Sequence, residues 1–192
     1  MVTTARMSEP DRRAHLLAFG RQHFAEHAFD ALPMVEIAKR AGVSKALLYR
    51  HFDGRRGFYL ACIEAVADEV IAVTAPPEAH GVFLDELHTM LSKFVRYARD
   101  NEGIYLALVR GGIGADEDVR RIVASVRETS LSRILARIDN AKTSPIFRLA
   151  LLSWLSALEH GTAAWLERQD VSEHEVVGLF VSMLGAVLTQ YA

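Results

Sequence analysis

Apolar residues recur along this chain every three to four positions, and the stretches between such runs are short and rich in glycine, proline or charge. This spacing is typical of amphipathic helices, and no segment alternates apolar and polar residues in the manner of a strand. We therefore predict an all-α protein with about nine helices. Their expected ranges are 11–27, 33–40, 44–51, 55–72, 79–100, 102–109, 116–139, 145–168 and 172–190.

The double proline Pro76-Pro77 is the strongest candidate for a boundary along the chain, because proline cannot continue a helix. We expect a small head over residues 1–57, a connecting helix over 55–73, and a larger body over 74–192. The glycine cluster at 111–114 follows no predicted strand and lacks the Gly-Lys-Ser/Thr ending of a phosphate-binding loop. We interpret it as a simple break between helices.

The last two predicted helices are apolar around most of their circumference, so each must bury more than one face. The core of the protomer itself or a four-helix dimer interface would achieve this. We favour the dimer interface, because small residues recur at helical spacing and let partner backbones approach closely. They are Ser153, Ala157 and Gly161 on the first of these helices, and Gly178, Ser182 and Gly185 on the second.

The net charge of −2 argues at first against a nucleic-acid ligand, but the distribution of charge changes this picture. Residues 1–57 contain ten Lys+Arg and six Asp+Glu, a net of +4, whereas residues 58–192 carry a net of −6. A basic head on an acidic body is typical of a phosphate-binding module joined to another domain. Cys62 is the only cysteine, and no export signal or membrane span is evident, so we expect a cytoplasmic protein.

The segment 35–52 carries the most specific signal in the chain. It predicts two short helices joined by a tight turn, the arrangement of a helix-turn-helix. Gly42 permits the chain to reverse where a Cβ would clash. Ser44 begins the second helix, where its side chain can cap the first turn, and we place it with the residues that face DNA.

The second helix of this motif is expected to present its first turn to the major groove of DNA. If Leu48 is the buried anchor, a rotation of 100° per residue turns the opposite face outward. We expect Arg50 to contact a base or a phosphate, and Arg55 to bind a phosphate at the start of the next helix. The expected base contacts come from Lys45, Ala46 and Leu47.

These residues resemble the DNA-binding domain of the TetR (tetracycline repressor) family, over residues 11–60. The resemblance rests on Phe24-Ala25-Glu26, Phe29-Asp30-Ala31, Ile37-Ala38-x-x-Ala41-Gly42-Val43-Ser44 and Leu48-Tyr49-x-His51-Phe52. It implies a homodimer whose heads bind palindromic operator DNA, with phosphate contacts from Tyr49 and His51. It also implies a ligand-responsive regulator, in most members a repressor, that a small-molecule inducer releases from DNA.

The head departs from the family pattern at several positions. Ala28 stands where glycine is usual, and Leu32-Pro33 replaces a Thr/Ser that caps the second helix and binds a phosphate. The lost cap leaves open a second reading, a helical interaction protein whose head does not read DNA. Arg55-Arg56 replaces the usual Lys-Glu, which is expected to strengthen the basic surface.

The body is expected to bind an apolar or aromatic small molecule without a cofactor. Aromatic and polar side chains on its middle helices are candidates for the pocket wall. They are Phe94, Tyr97, Tyr105, Trp154, His160 and Trp165.

A metal-dependent helical enzyme is a further alternative. His23 and His27 are four residues apart with Glu26 between them, a spacing found in metal sites. We expect neither a metal site nor an enzyme, because no third ligand and no activated nucleophile can be identified. The single thiol of Cys62 is interpreted as a small buried apolar group rather than a redox sensor.

Overall fold

The computed structural model describes residues 8–26, 33–77, 81–112, 116–138 and 144–191, and these residues form nine α-helices and no strand. The predicted fold class is confirmed. No helix in these ranges combines the length and the apolar content needed to cross a bilayer. The helices are α1 (Glu9–Glu26), α2 (Met34–Arg40), α3 (Lys45–His51), α4 (Gly54–Val73), α5 (Phe83–Asp100), α6 (Glu102–Ala107), α7 (Glu117–Arg137), α8 (Pro145–Arg168) and α9 (Glu173–Tyr191).

Helices α1 to α3 pack with the first half of α4 around a buried apolar cluster, called here the head cluster. Leu16, Leu48 and Phe58 are fully excluded from solvent within it. Helix α1 approaches α4 closely because Gly20 has no side chain, and a Cβ there would lie 2.5 Å from Sγ of Cys62. The cluster therefore fixes the orientation of α3 relative to α1 and α4.

The head cluster continues into the part of the chain that we assigned to the body. Phe58 and Val66 of α4 belong to it, and so do Ile104, Leu108 and Val119 from α6, the turn after α6, and α7. The core of the helix-turn-helix is thus completed by residues far away in sequence. Helix α4 is the element that both parts share.

A second apolar cluster, the body cluster, lies between α5, α7, α8 and α9. Leu151 of α8 and Leu184 of α9 are fully excluded from solvent. Nε1 of Trp154 donates a hydrogen bond to the carbonyl oxygen of Phe180 at 2.9 Å, which ties α8 to α9. The two apolar helices therefore bury much of their surface inside the protomer, the first of the two arrangements expected from their composition.

The chain leaves α6 through a π turn over Leu108–Gly112, where we expected a helix to end and a loop to begin. Such turns keep helical hydrogen bonding with one additional residue per turn. Part of the predicted break at 111–114 is therefore helical, and its remaining residues lie outside the described ranges.

Candidate DNA-binding helix and ligand cavity

Helix α3 lies at the surface of the head, and its start is formed as the sequence predicts. Gly42 in the preceding turn has a φ of 70°, the left-handed conformation that favours glycine. The Ser44 hydroxyl accepts a hydrogen bond from the backbone N–H of Leu47 at 3.1 Å. Leu48 is fully buried and anchors α3 on the head cluster.

The outward face of α3 carries the side chains that we predicted to contact bases. Lys45 and Ala46 are exposed, and Leu47 is half-buried beside them. Nζ of Lys45 lies 5.6 Å from the centroid of the Tyr49 ring, and Tyr49 is itself 47% exposed. A cation, a hydroxyl and small apolar groups thus share one compact patch.

Two of the predicted DNA contacts are engaged or shielded in this structure. Nη2 of Arg50 lies 2.8 Å from Oε1 of Glu9, and the arginine holds the pKa of that carboxyl below its usual range. Nε2 of His51 is shielded from solvent and has no hydrogen-bond partner among the described residues. To contact DNA, Arg50 must exchange its partner, and Nε2 of His51 must become accessible if it is the atom that binds.

The two arginines that follow α3 differ in their surroundings. Arg55 lies half-buried in the first turn of α4, where the sequence placed a phosphate contact. Arg56 instead pairs with the start of α7: its Nη1 lies 2.5 Å from Oδ2 of Asp116, and its Nη2 contacts Asp118. The prediction that Arg56 strengthens the basic surface is wrong, because two carboxylates from the body neutralise it.

A second polar contact joins the head to the body through α4. Nη1 of Arg21 lies 2.5 Å from Oε2 of Glu69, and the Tyr97 hydroxyl donates to the same oxygen at 2.9 Å. Helices α1 and α6 also pack closely, since a Cβ at Gly103 would lie 2.7 Å from Cβ of Ala25. A displacement of α5 or α6 would therefore be transmitted directly to α1.

The body contains two adjoining apolar cavities between α4, α5, α7 and the middle of α8. The first holds about 620 Å³ of space free of protein atoms, including its mouth, and the second about 550 Å³. They share the wall residues Val70, Phe94, Val126 and Glu159. A mostly apolar lining with a few polar groups is typical of a small-molecule site.

Three of the six residues predicted for the pocket lie in these walls. Phe94 lines both cavities, Trp154 lines the first and Tyr105 lines the second. The Tyr105 hydroxyl donates to the carbonyl oxygen of Glu159 at 2.9 Å, and burial raises its pKa, so the phenol stays neutral. Hydrogen bonds to backbone carbonyl oxygens hold the Tyr105 and Trp154 rings in these walls.

The structure places the other three predicted pocket residues elsewhere. Tyr97 belongs to the contact between α4 and α5 described above. Trp165 lies in the body cluster, where its Nε1 donates to the carbonyl oxygen of Val171 at 2.8 Å. His160 is exposed on α8, with Nδ1 2.9 Å from the carbonyl oxygen of Ser156. Residue type alone did not distinguish these positions from the cavity wall.

The polar groups of the first cavity were not identified from sequence. Arg127 forms a two-pronged pair with Glu159, with Nε at 2.9 and 3.1 Å from the two carboxylate oxygens. Nη1 of Arg133 donates to the carbonyl oxygen of Ile71 at 2.8 Å and lies 3.3 Å from Oγ1 of Thr74. Helix α7 carries charges on several faces, so its sequence does not show which of them meets the cavity.

An exposed face runs along α8 and α9 and contains most of the predicted small residues. Leu149 and Leu179 on this face are 58% and 56% exposed. A Cβ added at Gly178 or Gly185 would meet nothing within 4 Å, so the surface there is open. The other small residues on it are exposed or half-buried: Ser153, Ala157 and Ser182.

Gly161 differs from the other predicted interface residues. A Cβ at Gly161 would lie 2.7 Å from Cζ of Phe180, which is buried. Its small size therefore serves the packing of α8 on α9 within one protomer, and we remove it from the predicted dimer interface.

Two of the residues considered for other chemistry, His23 and Cys62, are buried in the head. The His23 ring is stacked on Phe19 with centroids 6.1 Å apart, and His27 lies outside the described residues. No three His, Cys, Asp or Glu side chains in the described ranges are grouped to hold a metal ion. Burial raises the pKa of the Cys62 thiol to about 12, which disfavours the reactive thiolate.

Two family models match this chain. Residues 16–62 match the model described as bacterial regulatory proteins of the tetR family, and residues 84–187 match the tetracyclin repressor-like C-terminal domain. The first match contains the helix-turn-helix. The second covers more than half of the chain and contains the face on α8 and α9 and the cavity walls contributed by α5 to α8.

Individual relatives are similar over part of the sequence or over the whole fold. The chain is 37% identical to the HTH-type transcriptional activator FasR of Mycolicibacterium smegmatis over 67 residues, 35% of this chain and 31% of that protein. This match thus spans about a third of the relative's length. A tetR-family transcriptional regulator from Streptomyces coelicolor has the same fold, with a TM-score of 0.80, 23% identity, and coverage of 96% of this chain and 85% of that one. A TetR-like transcriptional regulator from Rhodococcus sp. RHA1 superposes with a TM-score of 0.71 and 20% identity, covering 96% and 99%.

Proposed function

Because this chain belongs to the TetR family of bacterial regulatory proteins, we propose that it is a homodimeric repressor that binds a palindromic operator and is released by a small-molecule inducer. Membership of the family makes it a transcriptional regulator rather than an enzyme. The observation that carries the finer proposal is the position of α4. Its first half supports the recognition helix, and its second half forms a wall of the first cavity.

The first turn of α3 is proposed to read the bases. Lys45 can donate to guanine O6 or N7, and the methyl groups of Ala46 and Leu47 can contact a thymine methyl. The exposure of Lys45 and Ala46 supports this role. Phosphate contacts are assigned to Tyr49, with Arg50, His51 and Arg55 around it, and Ser44 holds the helix start in position.

Two heads are needed for specific binding, because one recognition helix contacts only a few base pairs. The exposed face on α8 and α9 is proposed to pair with the same face of a second protomer. Its apolar side chains, Leu149 and Leu179, and its open glycines support close packing of helices. The two-fold symmetry of such a dimer predicts a palindrome with half-sites about 34–36 Å apart.

An inducer in the cavities is proposed to act through α4. A ligand that pushes on Val70 displaces an element whose other end carries Phe58 in the head cluster. The pairs Arg56–Asp116 and Arg21–Glu69 lie on the same route between body and head. Ligand binding would thereby change the separation of the two heads in the dimer.

An activator is the second candidate, since one relative that is similar over 67 residues is named an activator. The DNA-binding chemistry would be the same, and only the effect on transcription would differ. A third possibility is an interaction protein whose head does not bind DNA. It rests on α2, where Pro33 occupies the N-cap without a side-chain hydrogen bond. Both alternatives are separated from the main proposal by the experiments below.

The DNA proposal is tested by selecting bound duplexes from a random pool at two salt concentrations. We expect a palindromic site to be enriched, with affinity that falls steeply as salt rises, because phosphate contacts release counterions. Lys45→Ala should relax the base preference at one position per half-site, whereas Tyr49→Phe should weaken all sequences alike. No enrichment at low salt would refute operator binding and favour the interaction protein. A reporter gene behind the selected site then distinguishes repression from activation.

The dimer proposal is tested by analytical ultracentrifugation of Leu179→Glu. A charge in the centre of the proposed seam should shift the protein from dimer to monomer, since an unpaired buried charge is strongly unfavourable. Leu84→Glu is the matched control, because Leu84 is a 43% exposed leucine on α5, outside the seam. If both variants remain dimeric, or both dissociate, the seam has been placed wrongly.

A further inference from the structure

Among the described residues that line the first cavity, one cation has a charge that no carboxylate offsets. Of the cavity's three charged side chains, Arg127 and Glu159 pair with each other and cancel. The third is Arg133, and no carboxylate of the described residues lies within 4 Å of its guanidinium nitrogens. The wall is otherwise apolar apart from the hydroxyls of Thr74 and Ser130.

The guanidinium of Arg133 has unused hydrogen-bonding capacity. Its two partners among the described residues, the carbonyl oxygen of Ile71 and the hydroxyl of Thr74, both contact Nη1. Nε and Nη2 carry further N–H donors in the fork geometry that matches a carboxylate or a phosphate. Ser130 lies one helical turn before Arg133 and lines the same cavity, so its hydroxyl can donate to the same anion.

The apolar part of the site extends away from Arg133 towards the head. Helices α4 and α7 run in the same direction, since Arg56 meets Asp116 near one end and Thr74 meets Arg133 near the other. The far walls of the second cavity include Ile63 and Ile122, each eleven residues before Thr74 or Arg133. At 1.5 Å per residue this is roughly 16 Å of wall, apolar except for Ser130 and the paired Arg127 and Glu159.

We propose that the ligand of this site is an apolar molecule with one anionic group, a carboxylate or a phosphate, that binds Arg133 while its apolar body lies along α4 and α7. The assignment rests on the proposed ligand response and names the chemical class of the inducer. A cationic ligand would be repelled by Arg133. A neutral one would forgo the charge-assisted hydrogen bonds that a guanidinium fork provides.

The proposal is tested by calorimetric titration of the full chain, without DNA, with four probes of equal chain length at neutral pH and below their micelle concentrations. The probes are octanoate, octyl phosphate, 1-octanol and octylammonium. At least one anion should bind about 10- to 100-fold more tightly than the alcohol and the ammonium ion, the range expected for a hydrogen-bonded charge pair. Comparing octanoate with octyl phosphate identifies which anion the site prefers.

Arg133→Gln should abolish this preference while leaving the affinity for 1-octanol within about twofold, which also shows that the cavity has folded. Arg133→Lys, which keeps the charge without the fork, should retain part of the preference. The matched control is Arg148→Gln, because Arg148 pairs with Glu128 at the surface and does not line the cavity. The Arg148→Gln variant should keep the full preference for anions over 1-octanol.

Three results would overturn the proposal: binding of none of the four probes, equal affinity for anion and alcohol, or a preference that survives in Arg133→Gln. The proposal that the protein is a regulator can be refuted independently of the proposed ligand class. Enrichment of an operator without a preference for anions refutes the ligand class alone. A preference for anions without enrichment of any DNA refutes operator binding alone.

Discussion

The ion pair between Glu86 and Arg137 provides the sharpest test of the energetics of the body. Glu86 lies in the first turn of α5 and is only 7% exposed. Its two carboxylate oxygens accept hydrogen bonds from Nε and Nη2 of Arg137 at 3.0 and 2.9 Å, and one of them also accepts from the N–H of Gly81. This arrangement ties α5 to the last turn of α7. Replacing Glu86 by Gln preserves its size and removes its charge.

Breaking a buried ion pair by changing one partner destabilises a protein by about 3–5 kcal/mol, since the other charge stays behind without compensation. The Arg137 side chain is 23% exposed, so water can solvate part of the orphaned guanidinium. We therefore expect the free energy of unfolding to fall by about 3 kcal/mol in Glu86→Gln, at the lower end of that range. For a chain of this size, this corresponds to a decrease in Tm of roughly 6–12 °C.

Thermal unfolding followed by circular dichroism measures this difference directly. Glu128→Gln is the surface control, because Glu128 also pairs with an arginine, Arg148, through one contact while its side chain is 56% exposed. Surface pairs contribute about 0–1 kcal/mol, so the control should lower Tm by no more than about 4 °C. Equal decreases in the two variants would refute the reasoning, because burial would then make no difference to the strength of the pair.

Three further outcomes follow from close contacts and shifted pKa values. Gly161→Ala should lower the free energy of unfolding by about 1–2 kcal/mol, since the added Cβ meets the Phe180 ring. This loss of stability should be smaller when Phe180 is replaced by Leu, and equal losses in both backgrounds would contradict the explanation. Hydrogen bonding to Arg56 holds the pKa of Asp116 below 3.8, so its contribution to stability is present above about pH 4 and is lost as the pH falls through the folded pKa. Urea titrations between pH 6 and pH 3 should therefore show a steeper loss of stability in the wild type than in Asp116→Asn, and parallel losses would exclude the pair as the cause. With its pKa raised to about 12, Cys62 should not react with a thiol reagent at pH 8 until the chain unfolds, and rapid labelling of the native protein would show that the thiol is accessible.

The features that the sequence predicted well are those decided by neighbouring residues. The positive φ of Gly42, the cap at Ser44 and the burial of Leu48 each depend on a few positions along α2 and α3. The nine helices were predicted for the same reason, because their periodicity is local. The π turn at 108–112 was missed, since no residue type marks it.

The features that could not be predicted depend on which helix faces meet. Arg56 looked like part of a basic surface until the structure placed it beside Asp116, 60 residues away. Gly161 shares its spacing with the small residues of the exposed face, yet its neighbour is Phe180. Arg133 also could not be selected from the sequence, because its proposed role depends on the cavity that it lines. Residue type and spacing identify candidates, and only the packing of helices assigns them to core, cavity or surface.

The sharing of α4 between the head cluster and the cavity wall limits how such a protein can be recombined with others. A chimera joined just before α4 would deprive the transplanted head of Phe58 and Val66, which belong to its own core. Joining after Pro77 would keep these side chains but would still remove Ile104 and Val119, which complete the same core from α6 and α7. A new DNA specificity is therefore better introduced by replacing the exposed residues of α3 than by exchanging whole heads. Evolution of this chain faces the same constraint, because its operator preference can change at the surface of α3 while the interior of the head must change together with the body.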